Sequence, residues 1–257
     1  MLQFRRKLEK QELEILDLFT ISFSIFKINF KNFLLIALLC AMPIIILSIY
    51  FPPSIFNPEE IQTISQVIEW LKQQIGKGFY INSIASWFFN TISTLAISIL
   101  VEAIVYNRIR SASWAISKSF RVLIPVIITS IIYSIFVFIG LVAFIIPGII
   151  LIVFFMFVNN ICMLRHTWGI NALRYSTSLV RKKFFKSFFI IMFIFLFENM
   201  FIISFPSAPI DTRDGVLYYA LSMILLHIFD TYFKIIISLY FLNIDFINNN
   251  KQNGIIV

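Results

Sequence analysis

The sequence predicts an all-α, polytopic membrane protein with about six transmembrane helices, arranged as three hairpins with interfacial amphipathic helices. Of its 257 residues, 60% are hydrophobic and 13% are charged, whereas about 25% of the residues in a soluble domain are charged. Six apolar runs with few or no charges are long enough to cross a bilayer, which takes about 20 residues. Three of these runs follow a segment that is rich in basic and aromatic residues.

The six runs are assigned to a single membrane domain over residues 1–257. Residues 1–32 form a predicted cytoplasmic or interfacial segment, because acidic residues such as Glu9 and Glu12 follow the first basic cluster and no signal-peptide pattern is present. The first apolar run is therefore expected to remain as a span. The predicted spans lie near residues 33–51, 84–106, 122–145, 148–164, 187–205 and 216–242.

Spans three and four come from one uncharged run, from Val122 to Leu164. As a single helix it would be about 64 Å long, roughly twice the thickness of the hydrocarbon core. The run must therefore fold back on itself. Pro147 and Gly148 lie in its second half and are typical turn residues, so the turn is predicted there.

The basic residues are unevenly distributed between the loops that these spans define. The net charge is +8, from 21 Lys and Arg against 13 Asp and Glu. Seventeen of the basic residues fall on one side, three (Lys72, Lys77 and Arg213) on the other, and Lys234 lies within a span. Cytoplasmic loops carry an excess of Lys and Arg, so the pattern predicts an even number of spans with both termini in the cytoplasm. It also accounts for the positive charge without nucleic-acid binding. The 17 residues are Arg5, Arg6, Lys7, Lys10, Lys27, Lys31, Arg108, Arg110, Lys118, Arg121, Arg165, Arg174, Arg181, Lys182, Lys183, Lys186 and Lys251.

The first predicted outer loop contains an amphipathic helix. Asn57 can cap it, Pro58 suits its first position, and Glu60 suits its third. Apolar residues then recur at helical spacing as far as Ile75, with Trp70 among them. We expect this helix to lie on the outer surface of the membrane.

Three stretches share a pattern: residues 16–35, 112–124 and 171–190. Each places an amphipathic segment with basic and aromatic residues just before a span, and a second span then returns. The pattern indicates three units of interfacial helix plus hairpin, through an internal repeat or through shared membrane constraints. The basic segments either attract anionic headgroups or only set the topology.

Three motifs resemble the YciC-like family of uncharacterised bacterial inner-membrane proteins: FKNFLLIALLCA (Phe30–Ala41), IIPGIIL (Ile145–Leu151) and NALRYSTSLVRKKFFKSF (Asn171–Phe188). That family is similar to the membrane domain attached to some glycerophosphodiester phosphodiesterases. The resemblance covers nearly the whole chain and implies a bacterial inner-membrane location and no established activity. No phosphodiesterase domain is present, so that activity does not carry over. The polar extension before Leu16 is longer than the family leads us to expect.

The sequence contains no Walker A, GxGxxG, HExxH or GxSxG motif. We therefore predict that the protein is not an enzyme, and expect neither a cofactor nor a metal site. Cys40 and Cys162 lie within apolar runs without metal or redox spacing, and are expected to be buried apolar residues.

Polar residues inside the predicted spans give the candidate site. His227, Asp230 and Lys234 in span six recur at i, i+3 and i+7, on one helix face. Asp230 and Lys234 can form an i,i+4 ion pair, and Glu198 in span five can partner this stripe. A charge at mid-span costs about 2.5–3.5 kcal/mol on insertion scales, so a charged residue there is expected to have a partner or a function.

Two interpretations of the stripe stay open: an ion, proton or polar-substrate path, or a self-satisfied pair that orients the helix. Glu102, near the end of span two, is expected to reach the interface beside Arg108 and Arg110. The leading prediction is a non-catalytic protein of envelope or lipid organisation, with membrane lipids as partners. The alternative is a small transporter or channel-like protein that uses the stripe.

Overall fold

The computed structural model describes residues 7–9, 11–51, 65, 77–204 and 212–252, and these residues form helices and short connections without any strand. Ten helices follow one another along this part of the chain. They are α1 (Ile15–Ile28), α2 (Phe30–Tyr50), α3 (Lys77–Val105), α4 (Ala112–Arg121), α5 (Leu123–Ala143), α6 (Ile145–Phe154), α7 (Val158–Arg165), α8 (Ile170–Arg181), α9 (Phe184–Ser204) and α10 (Arg213–Gln252).

The predicted fold class is confirmed, because these helices form three similar units. Each unit begins with a short helix (α1, α4 or α8), continues into a long apolar helix (α2, α5 or α9), and returns through α3, α6–α7 or α10. Only one or two residues separate the short helix from the long one: Asn29, Val122, and the pair Lys182 and Lys183.

Six segments are long and apolar enough to cross a membrane: Phe30–Tyr50, Gly78–Val105, Leu123–Ala143, Ile145–Arg165, Phe184–Ser204 and Arg213–Asn250. Each corresponds to one predicted span, but several bounds differ. The second span begins about six residues earlier than predicted, because the polar residues Asn82 and Ser83 are accommodated in the helix. The sixth helix continues beyond Leu242 to Gln252, because its polar end packs against the rest of the protein.

The turn of the second hairpin lies before the predicted position. Phe144 alone, in an extended conformation, separates α5 from α6, so the prediction of a turn at Pro147–Gly148 is wrong. Proline lacks a backbone N–H and is tolerated in the first turn of a helix, where that group needs no partner. Pro147 and Gly148 therefore lie within the first turn of α6 rather than in the connection.

Glycine instead allows the two helices of this hairpin to approach closely. A Cβ atom on Gly148 would lie 2.4 Å from the Leu141 side chain and 2.8 Å from its backbone nitrogen. A Cβ atom on Gly140 would lie 3.1 Å from the Cα of Gly148. Small residues at such contacts allow helix backbones to pack closely in membranes.

The core lies around α3 and α10. Helix α3 packs against α2, α4, α7 and α10, and α10 also packs against α1 and α2. In the most apolar windows of the spans, 67% of residues are buried in α3, but only 22% in α5 and 17% in α9. The exposed faces of α5 and α9 carry large apolar side chains such as Phe138 and Phe189. A large exposed apolar surface of this kind is typical of a face that contacts a membrane or another protein.

The two ends of the described chain meet at one end of the bundle. The Asn243 side chain on α10 donates to the carbonyl oxygens of Leu8 and Gln11, each at 2.9 Å, and accepts from the Leu13 N–H at 3.0 Å. Asn250 reaches the Glu9 carbonyl oxygen at 3.2 Å. We call this the terminal end of the protein.

Two predicted features fall outside the described residues. The predicted outer amphipathic helix, with Trp70, falls in residues 52–76, of which only residue 65 is described. Most of the second predicted outer loop falls in residues 205–211.

Candidate functional site

The span-six stripe of His227, Asp230 and Lys234 lies along α10. The Lys234 Nζ atom is 2.5 Å from Asp230 Oδ2 and 3.3 Å from Asn90 Oδ1 on α3. The side chains of Lys234 and Asp230 are 10% and 24% exposed. The ammonium of Lys234 is therefore both paired with a carboxylate and hydrogen-bonded to an amide oxygen, as a buried charge needs to be.

The other two predicted site residues, His227 and Glu198, form fewer hydrogen bonds and ion pairs in the described part of the chain. His227 is buried, its Nδ1 lies 2.9 Å from the Met223 carbonyl oxygen, and its Nε2 has no partner among the described residues. Glu198 on α9 is half-buried. It forms no hydrogen bond or ion pair within the described part of the chain. The structure thus brings Asp230 and Lys234 into contact but does not bond Glu198 to them.

A polar cavity of about 540 Å³ lies next to the stripe, between the spans. Asn90, which accepts from Lys234, is part of its wall, but none of the three stripe residues is. The stripe therefore reaches this cavity through one amide side chain. The other lining residues are Trp87, Thr91, Thr94, Ser130, Tyr133, Ser134, Ile152, Phe155, Met156, Val158, Asn159, Ile191 and Ile237.

A second polar cluster, the terminal-end network of Glu102, Arg165, Tyr175 and Asp245, joins four helices. Arg165 Nη2 is 2.6 Å and Nε 2.9 Å from Asp245 Oδ2, and Arg165 Nη1 is 3.0 Å from Glu102 Oε1. The Tyr175 hydroxyl donates to the other oxygen of Asp245, whose side chain is fully buried. Burial and this hydrogen bond raise the pKa of Tyr175, so the hydroxyl stays protonated and available as the donor.

Sequence reasoning missed this network for two reasons. Asp245 lies beyond the predicted end of span six, so it was not considered as a buried residue. Glu102 was expected beside Arg108 and Arg110, but its carboxylate pairs with Arg165 instead. The available signal was the apolar pattern that continues past Leu242 and includes the buried residues Ile244 and Phe246.

A third buried polar group holds the centre of the bundle together. Asn160 Nδ2 on α7 donates to the hydroxyl oxygens of Ser98 on α3 and Ser238 on α10, both at 3.0 Å. The two hydroxyls are 3.2 Å apart. Each polar atom thereby finds a partner inside an otherwise apolar bundle, which indicates a structural role.

The short helices α1, α4 and α8 each precede a long apolar helix, and we call them together the interfacial belt after their predicted position. The Lys27 ammonium lies 5.1 Å from the Phe23 ring centre, and the Arg110 guanidinium lies 5.1 Å from that of Trp114. Aromatic rings and long basic side chains are the residues that membrane proteins place at headgroup level.

The junction between α8 and α9 is bonded to the N-terminal segment. Glu12 forms ion pairs with Lys183 and, at 3.2 Å, with Lys186, and Lys186 also donates to the Leu13 carbonyl oxygen. Burial alone would raise the pKa of Glu12, but the hydrogen bond from Lys183 and the charge of Lys186 bring it below its ordinary value. The carboxylate is therefore ionised at neutral pH.

Comparison of the chain with protein-family models, with curated proteins and with solved structures found no match. The resemblance to the YciC-like family therefore stays a prediction. Among the described residues, no group of three or more His, Cys, Asp and Glu side chains could hold a metal ion. The six apolar helices identify the chain as a multi-pass, all-α protein compatible with integral membrane insertion.

Proposed function

We propose that this chain is a non-catalytic protein of a bacterial inner membrane that contributes to lipid or envelope organisation, with both termini in the cytoplasm. The observation that carries the proposal is the interfacial belt. Three short helices at one end of the bundle, each with at least one aromatic residue and a basic residue in its last turn, lead directly into a span. The same end bears both ends of the described chain, and the excess of basic residues supports its assignment to the cytoplasm.

The belt suits contact with anionic lipids. Basic residues close to a membrane surface contribute about 1 kcal/mol each to the attraction of anionic headgroups. Large exposed side chains, including Phe23 on α1, Phe120 on α4 and Phe185 at the start of α9, lie beside these charges. A helix with a basic face and an exposed aromatic face binds at the boundary between headgroups and acyl chains.

Membership of the YciC-like family is part of the same proposal. It rests on the three sequence motifs and on the agreement between their order and the three units of the fold.

A second candidate function, a small transporter or channel-like protein, is favoured by the polar cavity beside the stripe. Its wall carries hydroxyl and amide groups between the spans, and Asn90 links it to the Lys234–Asp230 pair. A polar cavity within a membrane bundle is typical of substrate and ion pathways. None of the stripe residues is part of the cavity wall, which is why we rank this function second.

The two functions can be separated with one variant. In a His227→Leu, Asp230→Leu, Lys234→Leu triple variant, the stripe is apolar and the belt is unchanged. The wild type and the variant would be extracted with their surrounding lipids, and the bound lipids quantified per protein by mass spectrometry. We expect anionic phospholipids to be enriched over the source membrane for both proteins, because the belt is intact in both.

The comparison requires evidence that the triple variant folds. A single symmetric peak in size-exclusion chromatography shows that the variant has inserted and folded. The absence of lipid enrichment in the wild type would contradict the proposed function. An ion or proton flux into liposomes that the wild type supports and the variant lacks would instead favour the transporter.

A further inference from the structure

A cavity of about 390 Å³ opens at the terminal end between α3, α4 and α7. We call it the basic cavity. Its wall combines aromatic and apolar side chains with four Lys or Arg side chains and one His side chain. The lining residues are Ile99, Glu102, Ala103, Tyr106, Arg108, Arg110, Trp114, Lys118, Arg121, Val122, Met163, Leu164 and His166.

Within the part of the chain that the structure describes, no carboxylate neutralises the positive charge of this cavity. Arg108, Arg110, Lys118 and Arg121 form no ion pair with a carboxylate in the described part of the chain. The sole acidic residue of the lining, Glu102, is already engaged by Arg165 at 3.0 Å. The four Lys and Arg side chains therefore place positive charges around one cavity. An anion that enters the cavity would relieve their mutual repulsion.

Two of these cations are held in place by aromatic rings. The Arg108 guanidinium lies 5.7 Å from the Tyr106 ring centre, and the Arg110 guanidinium lies 5.1 Å from that of Trp114. Stacking on a ring face leaves the N–H groups at the edge of a guanidinium free to donate. The planar array of donors on arginine matches phosphate oxygens particularly well.

The backbone around the cavity is also fixed. Asn32 Oδ1 accepts from the Ala112 N–H at 3.0 Å, and the Ser111 side chain caps α4 by accepting from the Trp114 N–H at 3.3 Å. The position of α4 is thus set before any ligand arrives. A site whose cations are positioned in advance loses less conformational freedom on binding.

The location of the cavity points to the headgroup layer. Its wall includes α4 side chains as far as Arg121, and α5 begins at Leu123 and enters the membrane. Roughly a dozen water volumes fit in it, at about 30 Å³ each. That space suits a phosphate group with a small substituent, whereas a nucleic-acid helix is far too large.

We propose that the basic cavity binds a phosphate group, supplied by the headgroup of an anionic phospholipid or by a small phosphate anion. The proposal deepens the lipid-binding function proposed above and rests on it for the lipid source alone. It predicts one defined headgroup position, in addition to the general attraction of the belt.

A matched pair of variants tests this site. Lys118→Gln with Arg121→Gln removes two charges from the cavity before span three. Arg181→Gln with Lys182→Gln removes two exposed charges from the equivalent junction before span five, outside the cavity. Binding to the full-length protein in detergent would be measured by native mass spectrometry with phosphatidylglycerol, phosphatidylcholine and inorganic phosphate as separate probes.

We expect the cavity variant to bind phosphatidylglycerol about tenfold or more weakly, because each side chain that it removes would donate a charge-assisted hydrogen bond to the bound phosphate. The control variant should change binding less than about threefold, and phosphatidylcholine should bind weakly throughout. Displacement of phosphatidylglycerol by inorganic phosphate in the wild type would identify a site for free phosphate as well. Phosphatidylglycerol binding without such displacement would identify the lipid as the source. A Lys118→Arg, Arg121→Lys variant, which keeps the charges, should restore binding.

Two other outcomes of these measurements would contradict a phosphate site in the cavity. Equal losses in the cavity and control variants would mean that phosphatidylglycerol responds only to the total charge of the belt, so the lipid function would survive and the cavity site would not. No preference of the wild type for phosphatidylglycerol over phosphatidylcholine, and no binding of inorganic phosphate, would reject both. If the double variant does not give a single monodisperse species, Arg108→Gln, in the loop before α4, provides the same comparison.

Discussion

Single polar residues show how far the sequence predicts the interior of this protein. The spacing of Asp230 and Lys234 predicted a possible ion pair within a span, and their contact at 2.5 Å has that geometry. The partner of Lys234 on another helix, Asn90, had no signal in the sequence, because an amide within a span has many possible neighbours. Contacts across the bundle depend on helix rotation, which the positions of polar residues along one helix do not determine.

Asp245 is the residue whose charge should matter most for stability. Its carboxylate is fully buried and binds both Arg165 and Tyr175. In Asp245→Asn the guanidinium loses its closest counter-charge, and removing one partner of a buried pair costs about 3–5 kcal/mol. Because Arg165 keeps Glu102 and is 25% exposed, we expect a loss of about 3 kcal/mol in the free energy of unfolding, measured by denaturant titration in mixed micelles.

Asp214→Asn is the matched control for this substitution. Asp214 is exposed in the first turn of the same helix, where a carboxylate contributes about 1 kcal/mol at most through the helix dipole. Equal losses in the two variants would show that the terminal-end network does not stabilise the bundle.

At the scale of the element, every span was predicted, and four of the six carboxyl-terminal ends agree to within one residue. Five spans begin three to six residues earlier than predicted, and the last span ends later. Hydropathy identifies runs of about 20 apolar residues, but the end of a helix depends on what surrounds its polar residues. Helix α10 continues past Leu242 because Asn243 and Asp245 find partners on the N-terminal segment and on α7 and α8. The Pro147–Gly148 pair was assigned to a turn by its usual preference, whereas Gly148 is needed for close packing.

The close approach in the second hairpin gives a prediction at this scale. In Gly148→Ala, the added Cβ meets the Leu141 backbone nitrogen at 2.8 Å, so α5 and α6 must move apart. Overpacking of this kind costs about 1–3 kcal/mol. We expect the thermal midpoint of unfolding in detergent to fall while the helical content by circular dichroism stays unchanged.

Val142→Ala serves as the control, because Val142 lies in the same hairpin and is 70% exposed. It removes apolar surface that faces outward and creates no contact between the helices. A Gly148→Ala protein as stable as the Val142→Ala protein would show that the hairpin has no tight contact at Gly148.

At the scale of the whole molecule, the threefold arrangement was predictable because it arises from local rules. A basic-aromatic segment before the first span of each unit and a long apolar run before each return are both visible in the sequence. The packing order of the three units was not, because apolar faces of similar composition specify neighbours through shape. The central position of α3 and α10 follows from small and polar residues such as Ser98, Ser238 and Asn243, which bond across the bundle.

The orientation of the whole molecule supplies the last prediction. Single cysteines would be introduced at the exposed residues Glu14 and Asp214 and after the final residue of the chain. Cys40 and Cys162 are buried and should contribute little background labelling. With both termini cytoplasmic and six spans, a membrane-impermeant maleimide added to intact spheroplasts should label Asp214→Cys alone. All three positions should be labelled after the membrane is opened with detergent. Labelling of the two terminal positions before lysis would show that the orientation is the reverse of the predicted one. Labelling of only one of them would require an odd number of spans, which contradicts the contact between Asn243 and the N-terminal segment.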